Sequence, residues 1–158
     1  MKFSSLISAA TLCLIVAACD GGTSTGGFDL ERNFAIELNA ASEVPAPKPT
    51  TATGTAQILV YASRIDYALS ATNITGITAA HIHSGAPGVA GPVVVTLFTS
   101  SPATGAINGV FASGSLSAAN LPATVTLESL KTLLASGNAY VNVHTTANQP
   151  GEIRGQVK

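Results

Sequence analysis

Apolar and polar residues alternate with period two along most of this chain. Phe34, Ile36 and Leu38 alternate with Ala35, Glu37 and Asn39, the signature of a strand with one face buried. Thr55 to Tyr61 reads the same way. Arg64 to Ala71 is the cleanest case, with Ile65, Tyr67, Leu69 and Ala71 facing one way and Arg64, Asp66 and Ser70 the other. Ile77 to His83 follows and ends at the turn-rich Ser84-Gly85-Ala86-Pro87-Gly88. Val93 to Phe98 is nearly continuous in apolar residues, which suits a strand covered on both faces. Val110 to Leu116 is a glycine-spaced strand. Two more runs close the chain, Ala139 to Thr145 and Glu152 to Val157, linked through Pro150-Gly151.

Two segments depart from this pattern. Glu43-Val44-Pro45-Ala46-Pro47-Lys48-Pro49 is a loop, because its prolines cannot donate to a ladder. Leu127, Leu130, Leu133 and Leu134 recur with helical spacing. Thr126 suits the N-cap, Glu128 the positive end of the dipole and Gly137 the stop. This predicts one short helix near residues 127–136, crossing the end of a sheet. Many short strands and one helix predict an all-β fold, a sandwich or small barrel.

The N-terminus reads as an address. Lys2 supplies a positive charge, Leu6 to Ala18 is apolar, and Val16-Ala17-Ala18-Cys19 closes the segment. This ending resembles the lipobox of bacterial lipoproteins. It predicts a signal peptide over 1–18, a lipidated Cys19 opening a tether over 19–32, and a folded domain over 33–158. The glycine, serine and threonine run from Gly21 to Gly27 suits a flexible tether. The lipid on Cys19 would hold the protein to a membrane of the bacterial cell envelope, at its periplasmic or outer surface. Cys13 lies in the signal and Cys19 carries the lipid, so neither of the two cysteines remains for a disulfide. The domain must then be held by its core. Net charge is −1 with no basic patch, so nucleic acid is not an expected partner.

The candidate chemistry lies in the three histidines, the only ones in the chain: His81 and His83 in one strand, His144 in another. Positions i and i+2 of a strand share a face about 6.6–6.8 Å apart. A third imidazole from a neighbouring strand would complete a three-nitrogen set, which suits copper or zinc. The alternative is that the histidines hydrogen-bond to loop carbonyls, with His144 pairing with Glu152 or Arg154 across the last hairpin. Glu43 is a candidate oxygen ligand or an outer partner of the set. Asn142 and Tyr140 share the strand face of His144 and either line a pocket with it or pack there; core packing is the expected role of Tyr140. Arg154 and Glu152 share a face with Gln156. They form either a solvated ion pair or groups that fix the His144 tautomer. The one Gly-x-Ser-x-Gly pattern, Gly22-Thr23-Ser24-Thr25-Gly26, falls in the expected tether rather than between a strand and a helix, and no catalytic residue is assigned.

The order of these motifs resembles a known family. Glu43-Val44-Pro45, Ala80-His81-Ile82-His83-Ser84-Gly85, Gly91-Pro92-Val93-Val94, Tyr140-Val141-Asn142-Val143-His144-Thr145 and Pro150-Gly151-Glu152-Ile153-Arg154-Gly155-Gln156 together resemble the CHRD domain, named after chordin. The resemblance runs from Phe34 to Lys158. It implies an immunoglobulin-like antiparallel β-sandwich of Greek-key type. In animal chordin such domains belong to an extracellular signalling antagonist, and in bacteria they occur in small exported proteins. The expected function is therefore a lipid-anchored binding module holding copper or zinc through the histidines. The alternative is a structural or adhesive module for a protein or polysaccharide partner. A metal-dependent enzyme is the third reading.

Overall fold

The computed structural model describes residues 29–158. The expected signal peptide, the expected lipidation site Cys19 and the expected tether as far as Phe28 lie outside the described residues. Eight strands form: β1 Leu30–Asn39, β2 Thr53–Tyr61, β3 Ile65–Thr75, β4 Ile77–Ser84, β5 Val93–Thr99, β6 Ala106–Leu116, β7 Ala139–Thr145 and β8 Ile153–Gln156. Among the described residues one α-helix, α1, spans Leu127–Ala135, and a single 3-10 turn spans Ala40–Ser42. No helix among the described residues is long and apolar enough to cross a membrane.

The strands run in the order β5-β4-β7-β8-β1-β2-β3-β6, and every neighbouring pair is antiparallel. The all-β antiparallel architecture with one helix is the one expected. Its two four-stranded halves are joined at a corner by one residue pair, Asn39 with Arg154. The connections cross between halves in Greek-key fashion: β3 pairs with β6, while the hairpin β4–β5 between them in sequence belongs to the other half. The free edges approach one another, so the sheet is nearly closed. Tyr67 Oη of β3 donates to Leu97 O of β5 at 2.7 Å, and Phe98 meets Phe111 edge-on at 5.4 Å.

The core fills the space between the halves. Ile36, Leu38, Ile58, Val60, Ile65 and Leu69 come from one half, and Ala80, Ile82, Val141, Val143 and Ile153 from the other. Helix α1 adds Leu130 and Leu134, both fully buried. Thr126 and Ser129 cap it reciprocally: Ser129 N donates to Thr126 Oγ1 at 3.1 Å and Thr126 N to Ser129 Oγ at 3.0 Å. Lys131 then ties the helix to the β2–β3 turn through Ala62 O and to β1 through Glu31.

Three sequence expectations need adjustment. The apolar run Val93–Phe98 is not covered on both faces. As β5 it is a terminal strand, with Val95 and Leu97 buried and Val93 and Thr96 exposed. Strand β1 opens at Leu30, inside the expected tether, because Leu30 pairs with Tyr61. Strand β8 begins at Ile153 rather than Glu152.

Candidate metal centre

Strands β4, β7 and β8 give their apolar residues to the core and their polar residues to the opposite face. On β4, Ala80 and Ile82 are inside; on β7, Val141 and Val143 are inside. The alternate residues His81, His83, Tyr140, Asn142 and His144 therefore stand together on the other face. Register fixes their neighbours: His81 lies opposite Asn142, His83 opposite Tyr140, Ala79 opposite His144, and Asn142 opposite Arg154. His144 is thus diagonal to His81, within aromatic reach across a strand pair. The β4–β5 ladder shifts register between Ala80 and His81 and again between Ile82 and His83. Both histidines so sit where pairing is locally irregular, a common way of re-aiming side chains.

One ligand atom from each of His81, His83 and His144 comes within 4.8 Å of the others. An ion bound by three imidazoles at ~2.0–2.1 Å in tetrahedral array needs nitrogens about 3.3–3.4 Å apart, so the widest pair must close by about 1.5 Å at most. His83 Nδ1 lies 2.8 Å from Gly91 O, and His144 Nδ1 lies 2.8 Å from Gln149 O. A carbonyl only accepts, so both rings carry their proton on Nδ1 and present a bare lone pair on Nε2. This is the way in which backbone carbonyls orient metal-ligating histidines. His83 Nε2 is buried and has no hydrogen-bond partner. These observations fit a metal set.

Charge favours the ligand form. Burial, then the neighbouring His144 and His83, lower the His81 pKa to about 4. Burial also lowers that of His83, aided by His144 and Arg154 against the raising effect of Gly91 and Asn142. Burial lowers His144, against its bond to Gln149 O. All three rings are neutral near pH 7, the state that ligates.

A buried polar wall stands behind His83. Arg154 is only 1% exposed. Its guanidinium lies 3.4 Å from the centroid of the Tyr140 ring, which in turn stacks on His83 at 4.8 Å and 12°. Guanidinium, phenol and imidazole form one column, in which a desolvated cation gains from the ring face. Arg154 Nη2 also donates to Ala86 O at 3.1 Å and to Gln156 Oε1 at 3.3 Å. Glu43, from the loop after β1, is buried, and burial raises its pKa; the Val44 amide, Arg154 and Asn142 act the other way. Its carboxylate lies against Gly151, where a Cβ would meet it. Among the described residues, the buried side-chain atoms lacking a hydrogen-bond partner are His83 Nε2, Glu43 Oε2, Asn142 Oδ1 and Arg154 Nη1. All four belong to this wall and the ring in front of it.

The structure brings His81, His83, His144, Asn142, Arg154 and Glu43 to one region. It does not bring Glu152 to His144. The Glu152 carboxylate accepts from Thr50 Oγ1 at 2.7 Å and Thr145 Oγ1 at 2.6 Å. Burial raises its pKa, but the hydrogen bonds from Thr145, Thr50 and Asn148 outweigh this and lower it. Glu152 pins loops together, and the expected Arg154–Glu152 solvated pair does not form. The groups that orient His83 and His144 are the carbonyls of Gly91 and Gln149; bonds to loop carbonyls were the alternative expectation, but which carbonyls was not legible because every residue carries one. The only available signal was the glycine at 91, where a Cβ would collide with Ser84 O.

A family model described as CHRD domain matches residues 34–157. No curated protein and no solved structure matches the chain.

Proposed function

The chain belongs to the CHRD domain family, and on that premise we propose that it is a lipid-anchored, extracytoplasmic binding module holding one divalent metal ion, copper or zinc, on His81, His83 and His144. The observation that carries this reading is the buried, unpartnered Nε2 of His83, set among three histidine ligand atoms within 4.8 Å. A buried lone pair without a donor costs about 1–3 kcal/mol, and a metal ion removes that cost. Imidazole suits copper and zinc alike. The lipobox-like Val16-Ala17-Ala18-Cys19 supports anchoring of the mature chain through Cys19 in the bacterial cell envelope, with the residues up to Asp29 as tether. Glu43, Asn142 and Arg154 serve as the wall that sets the position and electrostatics of His83.

The test is metal analysis of the purified full chain in detergent after loading with copper or zinc and exhaustive buffer exchange. About one ion per chain is expected, falling to background in His83→Ala. No retained metal in the wild type refutes the reading. Anchoring is checked separately: the wild type should incorporate a labelled fatty acid and Cys19→Ser should not, and a wild type that takes up no label, or a Cys19→Ser chain labelled equally, refutes it.

A further inference from the structure

Resting on that metal reading, we infer that His81 is a latch: in the metal-free protein its N–H occupies the lone pair that His144 offers to the ion, and metal enters only when His81 lets go. His81 Nδ1 and His144 Nε2 are 2.9 Å apart. His144 Nδ1 faces Gln149 O, which only accepts, so His144 Nδ1 is the donor there and Nε2 is an acceptor. The proton between the two rings therefore sits on His81 Nδ1, and the free lone pair of His81 is on Nε2.

The three histidines are accordingly unequal. His83 and His144 are each held by a backbone carbonyl through Nδ1. His81 has no such hold, and its ring bond is to another ligand. Its ring stands edge-on to both partners, 4.8 Å from His144 and 5.6 Å from His83. His81 and His144 are half-buried whereas His83 is buried, so the ring that must move is not the enclosed one. Rotation of the His81 ring breaks the bond to His144 and turns the His81 Nε2 lone pair toward the ion. The ring keeps its one proton on Nδ1, no proton is released, and all three ligands bind through Nε2. The ion is first held by His83 and His144 and then closed over by His81.

This order separates rate from affinity. Removing the His81 N–H frees His144 in advance, so association quickens by the equilibrium cost of one neutral hydrogen bond, roughly 3- to 10-fold. Removing a ligand speeds dissociation by more, so affinity still falls. The experiment is stopped-flow uptake of zinc by the full chain, wild type against His81→Ala and His81→Phe, the latter filling the ring volume without an N–H. Both variants should associate faster than wild type and dissociate faster still. Nitrogen-15 spectra of the metal-free chain should show a protonated His81 Nδ1 coupled across the hydrogen bond to His144 Nε2, with that coupling lost on zinc binding. A wild type that binds zinc, while both variants associate at the same rate or more slowly, overturns the latch alone. An unprotonated His81 Nδ1 in the metal-free spectrum does the same. A wild type that takes up neither zinc nor copper overturns the metal reading and the latch with it.

Discussion

Gly91→Ala is a test of the frame around His83 that leaves every proposed ligand in place. Gly91 lies in the β4–β5 loop, and a Cβ there would collide with Ser84 O and come within 2.8 Å of Ser84 C. These are backbone atoms at the end of β4, so the collision is relieved only by moving the loop. Three hydrogen bonds meet at Gly91: its N–H donates to Tyr140 Oη at 3.0 Å, and its carbonyl accepts from His83 Nδ1 at 2.8 Å and from Tyr140 Oη at 3.3 Å. At about 1 kcal/mol for each of the two short bonds, plus a share of the long one, the loss is roughly 2–3 kcal/mol. For a domain of this size that lowers the melting temperature by roughly 8–12 °C. The His83 ring also loses the acceptor that fixes its tautomer, which should weaken metal binding about 10- to 100-fold. Thermal melts followed by circular dichroism and a chelator competition read the two effects. Val89→Ala, in the same loop at a half-exposed position, serves as control and should change neither. A Gly91→Ala chain that melts within about 2 °C of wild type and binds metal equally would refute the loop-held orientation of His83.

Other perturbations separate the wall, the fold and the charge state. Arg154→Met keeps the stacked volume but removes the bonds to Ala86 O and Gln156 and leaves Glu43 without its nearby cation. It should cost about 2–3 kcal/mol in urea unfolding, one charge-assisted hydrogen bond and a share of the longer one, and a loss under about 1 kcal/mol would show that the column carries little. Thr126→Ala removes the α1 cap and should cost about 0.5–2 kcal/mol with metal affinity unchanged; a change in affinity would tie the helix to the site. For the metal-free chain, His81 has a folded pKa of about 4 against an ordinary value of 6.5. Between those values the unfolded chain binds the extra proton, so stability falls as pH drops from 6.5 toward 4. Melting temperatures across that window should decline more steeply for wild type than for His81→Phe, and equal slopes would show that His81 is not the titrating group.

The fold was legible wherever one face of a strand is buried, because period two then records the face directly. Phe34, Ile36 and Leu38 and the series from Ile65 to Ala71 gave β1 and β3 on that basis, and Thr126 with the leucine spacing gave α1. Val93–Phe98 misled because hydrophobicity alone does not distinguish a central strand from a terminal one. The three histidines were legible as a set, since i, i+2 spacing and a neighbouring strand suffice to bring them together. Their environment was not. Arg154 read as half of a solvated pair or as a group fixing His144, since nothing local in Ile153-Arg154-Gly155 shows that Tyr140 and the loops at Glu43 and Ala86 cover it. Glu152 read as its partner because alternation along β8 was extended one residue too far; the strand starts at Ile153, and Glu152 turns to Thr50 and Thr145.

The central claim is that three imidazoles share one ion, and the X-ray absorption spectrum of the full chain loaded with one equivalent of zinc or copper measures this directly. The account predicts three nitrogen scatterers at ~2.0–2.1 Å with the outer-shell pattern of histidine rings, reduced by one ring in His81→Ala. A spectrum dominated by oxygen ligands, or one that His81→Ala and His83→Ala leave unchanged, would contradict it.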